Sequence, residues 1–118
     1  PNTTIFEAAK TSNILLEHTR KSDIVCRFGG EEYIIHLPHT DVESTDKVAQ
    51  IIRKLVEESV VKLDNNETLK VTVSLGISAV NTEKDINMEV AIHRADNALY
   101  EAKKSGKNKV VVYSDLYD

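Results

Sequence analysis

Apolar positions along the chain change period several times, and each change predicts an element. Ile24, Cys26 and Phe28 alternate with Val25 and Arg27, and Tyr33 to Leu37 alternates again until Pro38 stops it. Both runs have the period of a strand. Gly29-Gly30 lies between them, and a glycine pair that tolerates positive φ reads as the turn of a hairpin. After a polar connection over Asp41–Asp46, apolar Val48, Ile51, Ile52, Leu55, Val56 and Val60 recur at helical spacing. They predict an amphipathic helix ending near Leu63. Asp64-Asn65-Asn66 predicts a turn, and the alternation Leu69, Val71, Val73, Leu75, Ile77, Ala79 predicts one long strand. A second helix follows, with Met88, Ala91, Ile92, Ala95, Ala98, Leu99 and Ala102 on one face. It ends at Lys103-Lys104, with Gly106 just beyond. Lys109–Tyr113, apolar through Val110-Val111-Val112, predicts a last strand covered on both faces. Ahead of the hairpin, residues 4–20 read as a helix. Ala8, Leu15 and Leu16 line its face, and Thr11, Ser12 and Asn13 interrupt the stripe.

The order helix, hairpin, helix, strand, helix, strand predicts an α/β (α+β) fold, a two-layer sheet with antiparallel pairs and helices packed on it. At 118 residues and 41% hydrophobic, the chain suffices for one core. Its 15 Lys+Arg against 19 Asp+Glu, net −4, argues against nucleic acid as a partner, which needs a clustered positive surface. A small phosphorylated ligand needs only a few local cations and stays possible. The single Cys26 excludes an internal disulfide and is compatible with a reducing cytoplasm; its alternation with Ile24 and Phe28 assigns it to the core. No apolar run approaches the roughly 20 residues of a membrane span. His36 and His39 flank Pro38 and are poorly placed to share a metal. His18, His93 and Asp96 read as helix residues without chemistry.

Three groups carry chemical potential. Glu31 and Glu32 follow the glycine pair. Glycines there admit close approach of a phosphate to backbone N–H groups, and an adjacent carboxylate suits a divalent cation. An exposed turn whose acids confer only solubility fits the same residues. Lys103 and Lys107 straddle a helix end, where they suit either a polyphosphate or simple compensation of the helix dipole. Arg20 and Asp23 are either a ligand-gripping pair or a helix-ending Arg followed by a turn Asp.

Arg27-Phe28-Gly29-Gly30-Glu31-Glu32-Tyr33 resembles the GG[DE]EF signature of GGDEF domains, the catalytic modules of bacterial diguanylate cyclases, with Tyr33 in place of the usual Phe. Arg20-Lys21-Ser22-Asp23 matches the family's RxxD inhibitory motif, at its spacing from the glycines. Val71-Thr72-Val73-Ser74-Leu75-Gly76-Ile77-Ser78 and Ala95-Asp96-Asn97-Ala98-Leu99-Tyr100-Glu101-Ala102-Lys103, with Gly106-Lys107-Asn108, are similar to two further family blocks. The chain, 1–118, is thereby identified as a single partial GGDEF domain whose motifs span about residues 20–113. The resemblance implies a palm or ferredoxin-like sheet. It implies that Glu31 ligates Mg2+ (or Mn2+) and helps activate a 3′-hydroxyl, with Glu32 shaping the loop and assisting the metal. Gly29 and Gly30 would approach GTP, Lys103 and Lys107 would meet its triphosphate, and Arg20 and Asp23 would bind the product, cyclic di-GMP. Two domains face to face, a homodimer, would condense two GTP into cyclic di-GMP and pyrophosphate. The segment would be cytoplasmic, with any membrane attachment elsewhere in the parent protein.

One departure matters. The family's first-strand block, DxDxFKxxND, is not found before Gly29, and Ile5 stands near a further family Asp. The expectation is that the central first strand is absent, with an exchanged segment or partner chain completing the sheet. Glu31 would then anchor a metal weakly, leaving this chain inactive alone. Two other readings fit: a non-catalytic GGDEF receptor or scaffold for cyclic di-GMP, and a palm-like cyclase or polymerase relative acting on another nucleotide.

Overall fold

The computed structural model describes residues 3–9, 24–28, 32–59, 61–62, 64–80 and 89–113. In chain order the elements are β1 (Thr3–Ala9), β2 (Ile24–Phe28), β3 (Glu32–Leu37), α1 (Val42–Glu58), β4 (Val61–Lys62), β5 (Thr68–Leu69), β6 (Leu75–Val80), α2 (Glu89–Lys104) and β7 (Val110–Val112). The main sheet has five strands in the order β2-β3-β1-β6-β7, and β4 and β5 form a separate ribbon. β1 pairs antiparallel with both β3 and β6, while β6 and β7 are parallel.

The hairpin forms as its alternation predicts. Ile24 to Phe28 pairs with His36 to Glu32, and residues 29–31 connect the two strands outside the described set. The segment ahead of it corrects the sequence reading. Residues 3–9 form a strand in the middle of the sheet, where a helix over 4–20 was expected; residues 10–20 lie outside the described ones. The expectation of an absent central strand, to be supplied by an exchanged segment, fails with it. The physical reason is an edge requirement. Without β1 the facing backbones of β3 and β6 would leave rows of N–H and C=O groups without partners. Thr3-Thr4-Ile5-Phe6 is β-branched and aromatic, a composition that suits a pleated strand better than a helix.

Helix α1 starts earlier than its apolar stripe suggests, because Asp41 caps it. Asp41 Oδ1 accepts from the Ser44 N–H at 2.7 Å, and the Thr45 hydroxyl donates to the Asp41 carbonyl at 2.9 Å. Its buried face is Thr45, Ala49, Ile52 and Val56, whereas Ile51 and Leu55 are 53% and 36% exposed. Those two belonged to the expected stripe; the face that meets the sheet is rotated away from them. The helix also stops short of Leu63. Ser59 is extended, and its hydroxyl donates to the Leu55 carbonyl at 2.7 Å.

The long strand expected over 69–79 is split, since β5 pairs with β4 and only β6 joins the main sheet. Burial along β6 is nearly continuous, with Ala79 the exposed residue. Alternation disappears there because a helix lies on each face. Leu75 and Ile77 join Ile35, Leu37, Ala49, Ile52, Val56 and Val73 in the core beneath α1. Residues one position off point the other way. Ser78 donates to the Ala91 carbonyl at 2.6 Å, and Gly76 lies against the α2 backbone. The fold is α+β as expected, and its two expected layers become three where α1 and α2 enclose the sheet. β7 is only half-buried rather than covered on both faces, being an edge strand.

Two carboxylates make folding pH-dependent. Hydrogen bonds from Ser44 at the helix cap hold the Asp41 carboxyl below its usual range, and a hydrogen bond from Asn108 does the same for Glu57. A depressed folded-state pKa gives stability that is present above the unfolded value and lost as pH falls through the folded one. Thermal melts should therefore show a falling midpoint on acidification through the carboxylate range. Asp41→Asn keeps a capping oxygen but cannot titrate, so its midpoint should fall less steeply; an identical acid profile would remove Asp41 from the account.

Candidate active site

Glu32 opens β3 directly opposite Phe28, at the end of the hairpin where residues 29–31 connect the strands. Gly29, Gly30 and Glu31 lie outside the described residues, as do Arg20 and Asp23. The C-terminal end of α2 arrives at the same place. Lys103 Nζ lies 3.6 Å from Glu32 Oε1, so residues far apart in sequence meet. Both side chains keep more than a third of their surface, which makes this ion pair weakly stabilising and open to competition from a stronger anion or cation. The end of β1 nearest this point carries no Asp: Ala9 pairs with Glu32, and Glu7, the acidic residue of that strand, pairs with Ile34 and Gly76.

Two features seat α2. Ala91, Ala95, Ala98 and Ala102 are buried and small, so the helix can approach β6 at Gly76, which has no Cβ to intervene. At its far end the helix stops as its sequence predicts. The Lys107 N–H donates to the Ala102 carbonyl at 2.9 Å around Gly106, which sits at φ +124. Lys103 is in the last helical turn and Lys107 just beyond it. Lys107 and Asn108 are themselves left-handed, at φ 62 and 51. Among the described residues the exposed Lys107 ammonium has no partner.

Asn108 is the residue to which sequence reasoning assigned no role. Its backbone N–H donates to Ser74 Oγ at 3.2 Å, its Oδ1 accepts from Arg53 Nη1 at 3.2 Å, and its Nδ2 donates to Glu57 Oε2. Arg53 also pairs with Glu57 at 3.1 Å. The turn after α2 is thus tied to α1 and to the approach to β6. An Asn after Gly-Lys was the available signal, since Asn tolerates the left-handed region better than most residues.

Carboxylates beside glycines suit a hard divalent cation chemically. Among the described residues no group of three or more His, Cys, Asp or Glu could hold a metal ion. Glu32 already has Lys103 as a counter-charge.

Comparison with known proteins places these features. The family model described as "Diguanylate cyclase, GGDEF domain" matches residues 9–109. Diguanylate cyclase A of Treponema denticola is 37% identical over 103 residues, covering 87% of this chain and 27% of that protein. The response regulator PleD of Caulobacter vibrioides is 39% identical over 98 residues, covering 82% of this chain and 21% of that protein. The chain therefore spans about a quarter of the curated relatives it matches. Among solved structures, the GGDEF domain of DgcB from Caulobacter crescentus, in complex with c-di-GMP, superimposes with a TM-score of 0.87 at 20% identity, covering 94% of this chain and 75% of that one. The active GGEEF domain of a diguanylate cyclase from Vibrio cholerae gives 0.80 at 23% identity, covering 97% of this chain and 84% of that one.

Proposed function

The chain belongs to the diguanylate cyclase GGDEF domain family, and on that premise we propose that it is the nucleotide-condensing module of a longer cytoplasmic-facing signalling protein. In the complete protein, two such modules meet face to face, each holding one GTP. Each 3′-hydroxyl attacks the α-phosphorus of the other nucleotide, pyrophosphate leaves, and cyclic di-GMP forms. The observation that carries this reading is the meeting of the signature hairpin, through Glu32, with the end of α2, through Lys103.

Roles follow from charge and position. Gly29 and Gly30 let a nucleotide approach the backbone. Glu31 holds Mg2+ or Mn2+, which when bound neutralises triphosphate charge and favours attack at phosphorus. Lys103 exchanges Glu32 for phosphate oxygens when nucleotide arrives, and Lys107 adds a second cation. Glu32 keeps Lys103 extended toward the hairpin in the absence of nucleotide. Arg20 and Asp23 bind the cyclic product as a feedback ligand, Arg gripping a phosphate or guanine edge and Asp accepting from a guanine N–H.

β1 carries no Asp at its hairpin end, so a second carboxylate for the metal would have to come from a part of the parent outside residues 1–118, and the module alone should bind nucleotide weakly and turn over none. Incubation of this chain, and separately of its full-length parent, with GTP and Mg2+ should yield cyclic di-GMP only from the parent. Product from the isolated chain would overturn the account of the missing acid, and none from the parent would overturn the cyclase reading. In that last case cyclic di-GMP binding that is lost in Arg20→Ala would mark the chain as a receptor.

A further inference from the structure

Lys107 occupies an unusual backbone position. It and Asn108 are consecutive non-glycine residues in the left-handed region, at φ 62 and 51, directly after Gly106 at φ +124. Each such residue costs about 1–3 kcal/mol and persists only where surrounding structure imposes it, and such outliers gather at ligand-gripping sites. The imposing structure is visible. Asn108 is held at three points: Ser74 Oγ takes its backbone N–H, Arg53 donates to its side-chain oxygen, and Glu57 accepts from its side-chain nitrogen. Ser74 is buried and the Arg53–Glu57 pair is set by one helical turn, so all three anchors are fixed before any ligand arrives. Immediately beyond, the Leu75 N–H donates to the Lys109 carbonyl at 2.9 Å and fastens the far side of the turn to β6. Lys107 directly precedes these fastenings, its own N–H bonded to the Ala102 carbonyl and its side chain exposed.

We propose that Asn108 is a positioning residue: its amide clamps the turn after α2 to α1 and to Ser74, and so holds Lys107 in the left-handed conformation from which its ammonium meets the phosphates of bound nucleotide. This rests on the reading of Lys107 as a phosphate ligand. A purely structural tie would affect thermal stability alone; a positioning role also sets affinity in protein that remains folded. The energetic logic is preorganisation, because the strain of two left-handed residues is met on folding rather than on binding.

Asn108→Gly separates the two roles, since glycine adopts φ 51 without strain yet lacks the amide. Two-dimensional ¹H–¹⁵N spectra of this chain should be recorded during titration with GTP and Mg2+, well below the melting midpoint. In the wild type the Lys107 amide should shift on titration, and Lys107→Ala should weaken binding. Asn108→Gly should remain folded, show an altered HN–Hα coupling at Lys107, and bind GTP about tenfold more weakly, the scale of one charge-assisted contact. Asn108→Asp faces the Glu57 carboxylate and should be impaired as well. Combining it with Glu57→Gln restores opposite donor and acceptor roles across the same contact and should recover affinity. Wild-type affinity in folded Asn108→Gly, or no recovery in the double variant, overturns the inference alone. No shift at Lys107 when GTP is added to the wild type overturns the phosphate-ligand reading and the inference with it.

Discussion

Gly76→Ala should unfold this domain or lower its melting midpoint by roughly 10 °C or more, the largest stability effect expected from so small a change. A Cβ at Gly76 would lie 2.2 Å from the Ala95 carbonyl oxygen, 2.3 Å from the Leu99 nitrogen and 2.9 Å from the Leu99 Cα. All three are backbone atoms of α2, so no side-chain rotation relieves the contact. The helix must lift from β6, and that loosens the buried alanine face together with the Ser78–Ala91 hydrogen bond. Overpacking of this kind costs about 3 kcal/mol or more, a large part of the stability of a small domain. Gly106→Ala is the informative comparison. Its nearest atoms are the Lys109 side chain at 3.7 Å, so only its positive φ opposes a Cβ, at about 1 kcal/mol. Calorimetry of the two variants should rank them in that order. Equal midpoints would show that α2 is not seated on β6 through Gly76.

The second large effect concerns chemistry. On the proposed reading, Glu31→Gln in the full-length parent should reduce cyclic di-GMP formation by about a hundredfold or more, the scale expected when metal stabilisation worth several kcal/mol is lost. Its isosteric amide leaves the hairpin unchanged in shape, so the melting midpoint should stay near that of the wild type. The loss should appear in kcat/KM at every Mg2+ concentration and be partly relieved at high Mg2+. Full activity in this variant would remove Glu31 from the metal site. Glu32→Gln should behave differently, because the Glu32 carboxylate pairs with Lys103. Its removal frees the lysine for phosphate, so GTP binding should not weaken.

Local features of the sequence determined the hairpin, the two described helices and the stop of α2. Ile24–Phe28 alternates between polar Ser22-Asp23 and the Gly29-Gly30 pair, so its limits follow from short-range pattern alone. Gly106 after Lys103-Lys104 ends α2 for a reason contained within a few residues. The family, too, was legible, because the quoted motifs, from Arg20 to Asn108, lie within the match over 9–109. Other features depended on what each segment meets. Thr3–Ala9 is a central strand because β3 and β6 both need a partner, a demand that its own weak periodicity does not express. β6 is buried on both faces because helices approach from both sides, and Ile51 and Leu55 are exposed because α1 turns another face to the sheet. At the candidate site the carboxylates and lysines were readable as residue types in a motif. The meeting of Glu32 with Lys103, and the clamp that joins Asn108 to Arg53, Glu57 and Ser74, arise only when distant segments are packed together. Sequence encodes such contacts only through the complete fold, since no local period or spacing links their partners.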